Sequence, residues 1–329
     1  MALAKNQYSA PEPLVPSGVK TFLESFQFGR FGIGIGRKII RFLQKAWDPL
    51  QRKIWIGRVS LPLRNAILAN RPVSVSIGGV PVFLLPQGAT AGDIWAGVRC
   101  ESHEVLFILT ALKPGMIFFD VGANAGLFTI SAAKKIDAKG VFAFEPCSAT
   151  CELLTRNLLL NGLTDVNVVQ NALGDSVGEG VLQINARGND GLNTLGQATH
   201  PSSQVVGRED VRITTVDVFM KLQNVPRVDV MKVDIEGAEL MMFRGARDLL
   251  ERADSPLILY EGFGSLTRGF GYHPVEILWF LESCGYTLFL LDSETGEISK
   301  LKPDYQYDSM VIAVKPGHAA FKDLSARLK

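Results

Sequence analysis

The sequence predicts an α/β fold built on one doubly wound, mostly parallel sheet. Short runs of apolar, β-branched and aromatic residues alternate with longer segments of helical periodicity between residues 116 and 314. Four of these runs end in polar or acidic residues, as strands do at the sheet edge where such folds bind ligands. With 329 residues, 47% of them hydrophobic and 20% charged, the chain is long enough for one large domain and an extension.

We place the boundary of the large domain at residue 100, with an amino-terminal extension over 1–100 and the sheet-bearing domain over 101–329. Within the extension, residues 1–18 contain three prolines and are predicted to be a loose lead-in. Residues 73–85 read as a β-hairpin, because two β-rich runs flank a Gly-Gly pair.

A basic amphipathic segment lies between these parts of the extension. Eight lysines and arginines oppose only Asp48 between residues 28 and 58, which gives the segment a charge of +7 among many apolar residues. It could contact an anionic membrane surface as a peripheral anchor. The favoured alternative is a helix that packs its apolar face on the domain, and a contact between subunits of an oligomer is a third use.

Composition bounds the functional class. The net charge of +1, from 34 basic and 33 acidic residues, gives no sign of nucleic-acid binding. The four cysteines have neither Cys-x-x-Cys nor zinc spacing, so we expect free thiols in a reducing cytoplasm. No apolar run reaches 18 residues and the amino terminus lacks a secretory layout, so a cytoplasmic, non-secreted protein is expected.

The elements expected in the domain follow one another in alternating order. They are a helix over 104–112, strand 116–120, helix 125–135, strand 141–145, helix 147–161, strand 166–171, a strand or hairpin of 180–184 with 211–216, strand 228–234, helix 237–251, strand 256–261, helix 274–284, and strands 286–291 and 308–314. A polar stretch over 185–210 has no clear period and is predicted to be either a lid or a surface loop.

The first of these strands leads into a glycine-rich turn, Asp120-Val-Gly-Ala-Asn-Ala-Gly126. Glycine lets the backbone bend tightly against a ligand, and the next helix begins with free N–H groups directed at the same place. The glycine spacing does not match Gly-x-Gly-x-x-Gly, and Asp120 would repel a pyrophosphate but attract an amino group. Glu145 ends the next strand, nineteen positions after Gly126, where an acidic residue can accept both hydroxyls of a ribose.

With these residues, the chain resembles the FkbM family of S-adenosylmethionine-dependent O-methyltransferases over roughly residues 104–262. Four motifs in order carry the resemblance: Asp120-Val-Gly-Ala-Asn-Ala-Gly126, Ala143-Phe-Glu-Pro146, Asn171-Ala-Leu-Gly-Asp175 and Lys232-Val-Asp-Ile-Glu-Gly-Ala-Glu239. The resemblance implies a Rossmann-like, seven-stranded class I methyltransferase sheet with an antiparallel last strand. It also implies S-adenosylmethionine as cofactor and a hydroxyl of a sugar or other small biosynthetic intermediate as acceptor.

The residues expected to hold the cofactor follow the strand ends. They are Asp120 for the methionine amino group, the backbone at Gly122 and Gly126, Asn124 for the carboxylate or ribose, Glu145 for the ribose, Asn171 and Ala172 beside the adenine, and Asp234 beside the methyl group. The adenine contacts are implied by the resemblance.

Methyl transfer to a hydroxyl requires in-line positioning and a general base. The candidate bases, in order of preference, are Asp234, Glu261 and His273. A cluster of Asp234, Glu236 and Glu261 could instead hold a divalent metal that polarises the hydroxyl. The Gly-Phe-Gly that follows Glu261 departs from the Asp-Asn of catechol-type methyltransferases.

Two other functional classes stay open at this stage. A nicotinamide-dependent oxidoreductase predicts a cofactor-dependent absorbance change and no affinity for S-adenosylhomocysteine. A non-catalytic, membrane-associated scaffold that retains the fold predicts liposome binding through residues 28–58.

Overall fold

The computed structural model of the protein describes residues 72–96, 102–186, 189–301 and 308–321. The predicted lead-in over 1–18 and the basic segment over 28–58 lie outside these ranges. Among the helices within them, none has the length and apolarity needed to cross a bilayer.

The strands are β1 (Val73–Ile77), β2 (Val80–Leu84), β3 (Phe118–Val121), β4 (Val141–Phe144), β5 (Asn167–Val169), β6 (Ala172–Leu173), β7 (Gly178–Asn185), β8 (Val205–Thr214), β9 (Val230–Val233), β10 (Leu257–Phe263), β11 (Thr287–Leu291), β12 (Ile298–Lys300) and β13 (Asp308–Val314). The α-helices are α1 (Ala89–Ala96), α2 (Ser102–Ala111), α3 (Leu127–Lys135), α4 (Ser148–Leu160), α5 (Val216–Leu222), α6 (Glu239–Arg244), α7 (Arg247–Glu251), α8 (Gly264–Thr267) and α9 (Val275–Ser283).

The described strands form one large sheet with the order β12-β11-β13-β10-β9-β3-β4-β5. Strands β10, β9, β3, β4 and β5 are parallel, whereas β13 is antiparallel to both of its neighbours. The predicted doubly wound α/β fold is confirmed, and a short edge strand, β12, adds to the seven strands expected. Strands β4 and β5 lie on one side of β3, whereas the later strands β9 and β10 lie on its other side. The strand order therefore changes direction at β3, and the carboxyl ends of β3, β4 and β9 border one crevice.

Helices cover both faces of this sheet because its central strands are buried on both sides, as in Phe118–Val121, where every residue is buried. On one face, hairpin residues such as Ile77 and Leu84 share a core with Ile130 of α3 and Leu158 of α4. On the other face, α6, α7 and α9 bury Phe243, Leu250 and Leu281. The predicted hairpin over 73–85 is therefore present and packs on the same core as the sheet.

The single helix predicted over 237–251 is wrong, because two short helices, α6 and α7, replace it. The carbonyl of Gly245 accepts the N–H of Asp217 (3.1 Å), and the N–H of Leu249 donates to Oδ1 of Asp217 (3.1 Å). These contacts replace the helical bond that would join Gly245 to Leu249. A Cβ at Gly245 would also overlap the carbonyl of Gly174, so the break is imposed by close tertiary packing.

The strand predicted over 166–171 is also shorter than expected. It ends at Val169, and after two further residues Ala172–Leu173 form β6, which pairs with β8 in a separate three-stranded sheet. The predicted hairpin of 180–184 with 211–216 is part of this second sheet, as β7 paired with β8. Both strands extend into the polar stretch, which shortens the connection between them to residues 186–204.

Candidate functional site

The glycine turn after β3 is held between the ends of β4 and β9. Gly122, Asn124 and Gly126 all have positive φ, at 79°, 47° and 93°. The N–H of Gly122 donates to the carbonyl of Phe144 (3.0 Å), and a Cβ at Gly122 would overlap the carbonyl of Asp234. Glycine at this position therefore serves both the left-handed backbone and the close approach of β9.

Asp120 lies beneath the turn and is fully buried. Its Oδ2 accepts a hydrogen bond from Thr129 Oγ1 (2.5 Å), and its Oδ1 lies 4.0 Å from the ammonium nitrogen of Lys232. Burial raises the pKa of the Asp120 carboxyl, and the positive charge of Lys232 opposes that effect. These contacts make Asp120 a support of the turn, and its predicted contact with the cofactor amino group stays a prediction.

Lys232 is a site residue that the sequence reasoning missed. Its side chain is 4% exposed, and its Nζ lies 3.1 Å from Asp234 Oδ2 and donates to the carbonyl of Gly122 (3.2 Å). It also stands over the ring of Phe128, 4.9 Å from the centroid. A signal was present, because Lys232 is the only charged residue in β9 and a buried charge needs partners.

Glu145 follows β4 and is 6% exposed. Its Oε2 accepts the N–H of Asn124 (3.0 Å), and its Oε1 accepts the N–H of Cys147 (3.0 Å). Desolvation by burial raises the pKa of its carboxyl to about 7. Since a carboxylate has about four acceptor positions, each oxygen can still accept one hydrogen bond from a ligand.

Asn171 and Ala172 follow the end of β5, which adjoins the Glu145 position. The N–H of Glu145 donates to the carbonyl of Val169 (3.1 Å), which ties the two strand ends together. Asn171 is half-buried and Ala172 is buried at the start of β6. Their predicted place beside the adenine stays a prediction.

Three carboxyl groups meet on the opposite side of the turn. One oxygen from each of Asp234, Glu236 and Glu261 lies within 4.8 Å of the other two. Burial, together with the negative charges of Asp234, Glu236 and Glu239, raises the pKa of Glu261 well above its ordinary value, which favours its protonated form. The side chain of Asp234 is 27% exposed, so it can meet a ligand as well as Lys232. This cluster can share a proton, and its spacing also suits a divalent cation.

The loop between β9 and α6, which carries Glu236, is fixed from several directions. Glu236 has a positive φ of 56°, and its carbonyl accepts a hydrogen bond from Thr194 Oγ1 (2.9 Å). The next carbonyl, of Gly237, accepts one from Tyr272 Oη (2.6 Å). The buried carboxylate of Glu239 accepts two backbone N–H groups of the same loop. Together these bonds hold a backbone conformation that non-glycine residues rarely adopt.

His273 is exposed at the start of α9. Its Nδ1 accepts the N–H of Val275 (3.3 Å), and its own N–H donates to Oε1 of Glu276 (3.0 Å). Both contacts are those of a residue at a helix entry. The structure therefore brings the candidate bases Asp234 and Glu261 together and gives His273 a capping contact, while its role as a base stays a prediction.

The connection between β7 and β8, residues 186–204, is attached to the segment that follows β10. The N–H of Gln197 donates to the carbonyl of Gly269 (3.0 Å). The hydroxyl of Thr199 donates to the carbonyl of Ser265 (2.5 Å). This connection borders the carboxyl cluster through Thr194, and its role as a lid or as a surface loop stays a prediction.

These features define a class of protein. A doubly wound sheet with an antiparallel strand beside β10, a glycine turn after β3 and acidic residues at the ends of β4 and β9 are typical of the class I methyltransferases. The family model of the methyltransferase FkbM domain matches residues 120–288, which is about half of the sequence. The chain belongs to this family, and the predicted resemblance is confirmed.

Several known proteins are similar to this chain. Methyltransferase 1 of Beauveria bassiana is 29% identical over 44% of the chain and 66% of its own length, just under two thirds. Hexuronic acid methyltransferase AglP of Haloferax volcanii is 25% identical over 62% of the chain and 78% of its own length. The crystal structure of methyltransferase FkbM from Methylobacillus flagellatus aligns with a TM-score of 0.41 and 14% identity, over 62% of this chain and 44% of that one.

Proposed function

We propose that the protein is an S-adenosylmethionine-dependent O-methyltransferase that acts on a hydroxyl of a sugar or another small biosynthetic intermediate. The observation that carries this proposal is the buried carboxylate of Glu145, which is hydrogen-bonded to the glycine turn and retains acceptor positions for a ribose. Family membership supports methyl transfer, and the cofactor and the acceptor class are the proposed part.

The residues around the turn fit this cofactor. Asp120, Glu145 and Asp234 are acidic, and the buried ammonium group of Lys232 is engaged with two of them. Such a site favours a ligand that carries positive charge and no phosphates, and it disfavours the pyrophosphate of a nicotinamide cofactor. The space that a Cβ would take at Gly122 is filled by the Asp234 backbone, so glycine is required where the turn meets β9.

Within this proposal, Glu145 holds the ribose hydroxyls and the Asn124 backbone fixes the Glu145 carboxylate. Asn171 and Ala172 border the base. When bound, the cofactor supplies an electrophilic methyl group on a sulfonium centre. The protein's remaining tasks are to orient the acceptor hydroxyl and to remove its proton.

Asp234 is the residue proposed for proton removal. It is partly exposed and lies at the end of β9, and its salt bridge with Lys232 (3.1 Å) fixes the position of one oxygen. The Asp234 carboxylate would accept the proton of the acceptor hydroxyl, while the cofactor, held by Glu145 and the glycine turn, would supply the methyl group and leave as S-adenosylhomocysteine. Glu261, whose raised pKa favours its protonated form, can donate a hydrogen bond to Asp234 and orient it.

The acceptor class rests on relatives. AglP is named for its action on hexuronic acid, and it matches 62% of this chain. Sugars that contain uronic acids are therefore the first acceptors to screen, followed by hydroxylated natural-product intermediates.

Calorimetric titration with S-adenosylhomocysteine tests the proposal. We expect micromolar binding by the wild-type protein and its loss in Glu145→Ala, because truncation removes the ribose acceptor and leaves two backbone N–H groups unsatisfied. Glu152→Ala, on the exposed face of α4, is the control and should bind as the wild type does. A folded wild-type protein that binds no S-adenosylhomocysteine would overturn the proposal, and liposome binding would then favour a scaffold.

The affinity for S-adenosylhomocysteine should depend on pH through Glu145. Its pKa of about 7 means that the free protein holds the proton below neutrality, whereas the ionised form is the better acceptor for ribose hydroxyls. Affinity should therefore be lost as pH falls, by about tenfold between pH of about 8 and about 6. Titrations across this range should show a flat profile for Glu145→Gln, and a flat profile for the wild type would contradict the assignment.

A further inference from the structure

Asn157 of α4 carries a polar side chain into the hydrophobic core of the domain. The residue is fully buried, and so are Leu154 and Leu158 on the same face of the helix. A buried amide is costly unless its oxygen and its nitrogen both find hydrogen-bond partners. Both groups of Asn157 have such partners, and the two partners belong to different parts of the fold.

One partner lies in the glycine turn after β3. Nδ2 of Asn157 donates a hydrogen bond to the carbonyl of Ala125 (2.8 Å). The helical hydrogen bonds of α3 begin where the N–H of Ile130 donates to the carbonyl of Gly126 (2.8 Å), so the Ala125 carbonyl lies just before the helix. Ala125 is buried, and Asn157 therefore supplies a donor to a carbonyl of the turn that lies away from water.

The other partner lies in the segment that follows the β1–β2 hairpin. Oδ1 of Asn157 accepts the N–H of Leu85 (2.8 Å). This contact fixes the orientation of the amide, because only the oxygen can accept an N–H, which leaves the nitrogen to face Ala125. Leu85 lies outside residues 120–288, which the family model matches. A part of the amino-terminal extension therefore sets how Asn157 meets the turn.

The turn needs contacts of this kind because part of its backbone is unfavourable by itself. Asn124 has a φ of 47°, in the left-handed region that residues other than glycine rarely adopt. Such a conformation persists where surrounding contacts fix it. Glu145 fixes the N–H of Asn124, and Asn157 fixes the carbonyl of the next residue, Ala125. The two side chains thus hold consecutive residues of the turn.

We propose that Asn157 is a positioning residue for cofactor binding, which holds the glycine turn in its ligand-binding conformation through the carbonyl of Ala125. This inference rests on the proposed function. Asn157 is fully buried, so it acts on the affinity through the turn and not by touching the cofactor. Without its hydrogen bond, a fraction of the free protein holds the turn in another conformation, and the apparent affinity falls accordingly.

Asn161, which follows the last residue of α4, provides a matched control. Its Oδ1 accepts the N–H of Phe83 (3.1 Å), and its Nδ2 donates to the carbonyl of Phe83 (2.7 Å). Its side chain also meets Lys134 and the backbone carbonyl of Asn157. Asn161 therefore ties the end of α4 to the same hairpin, whereas the Ala125 carbonyl is held by Asn157.

Calorimetric titration of the full chain with S-adenosylhomocysteine tests the proposal. We expect Asn157→Leu to weaken binding by about tenfold, because leucine fills the space but leaves the Ala125 carbonyl without its donor. Asn161→Leu should bind as the wild type does, although it loses its contacts with Phe83. Asn157→Ser leaves room for a water molecule and is the milder variant, which decides the question if Asn157→Leu does not fold. Its affinity should also fall.

Melting temperatures separate positioning from a purely structural role. Asn157→Leu and Asn161→Leu should both melt below the wild type, since each loses contacts between α4 and the hairpin segment. A structural role would lower both melting temperatures and leave both affinities unchanged, and that result would overturn the proposal. Equal weakening of binding in the two variants would also overturn it, because loosening of the hairpin would then be the cause. A folded wild-type protein that binds no S-adenosylhomocysteine would instead reject the proposed function.

Discussion

Gly122→Ala should abolish S-adenosylhomocysteine binding and destabilise the fold by more than about 4–5 kcal/mol, a range that indicates a specific structural cause. The new Cβ would overlap the carbonyl of Asp234, and it would also force alanine into a φ of 79°. The overlap joins backbone to backbone, so no side-chain rotation can relieve it. Chemical denaturation followed by circular dichroism measures the loss of stability.

Gly162→Ala is the matched control for this substitution. Gly162 has a similar φ of 72°, but a Cβ there would meet nothing within 4 Å. This variant should lose only about 1–2 kcal/mol, the cost of a left-handed conformation for alanine, and should bind S-adenosylhomocysteine normally. Equal losses in the two variants would show that the backbone conformation, and not the contact between β3 and β9, decides the requirement for glycine.

Asp234→Asn should reduce methyl transfer by about 10²–10⁴-fold, the usual contribution of a general base. Asparagine retains the shape of the side chain but cannot take a proton from the acceptor hydroxyl. Affinity for S-adenosylhomocysteine should change much less than the rate, because the ribose contacts lie at the end of β4. Transfer of a labelled methyl group to the first acceptor that screening identifies, under single-turnover conditions, measures the effect.

Glu261→Gln tests whether Asp234 or Glu261 is the general base. If Glu261 is protonated and only orients Asp234, glutamine resembles its working state and most of the activity should survive. If Glu261 were the base, Glu261→Gln would reduce methyl transfer more than Asp234→Asn does. The comparison is sharp because the two side chains stand in the same cluster, within 4.8 Å of each other.

The order of strands and helices followed closely from the sequence. Alternating apolar runs and helical periods depend on local residue pattern, and strand β13 falls at the predicted residues 308–314. The helix over 237–251 failed because its interruption depends on Gly245 packing against Gly174, about seventy residues earlier in the chain. No periodicity within the helix carries that information.

Some residues of the candidate site could be predicted from the sequence, and others could not. Asp120, Glu145 and Asp234 were found because each ends a strand, and parallel strands bring such ends to one edge. Thr194 was not found, since it lies in a polar stretch without a period and reaches the site through its hydrogen bond to the carbonyl of Glu236. The isolated charge of Lys232 in β9 indicated that it needs partners, but the sequence did not identify Asp120 and Asp234 as those partners.

The sequence by itself therefore determined the fold class, the family and the strand-end residues, because these depend on local pattern and on motifs read in order. The tertiary structure alone decided which charges face each other. It paired Lys232 with Asp120 and Asp234, and it gathered three carboxyl groups from β9, its following loop and β10. Electrostatic interaction depends on distance and burial, and both arise only when strands and loops far apart in the chain are packed together.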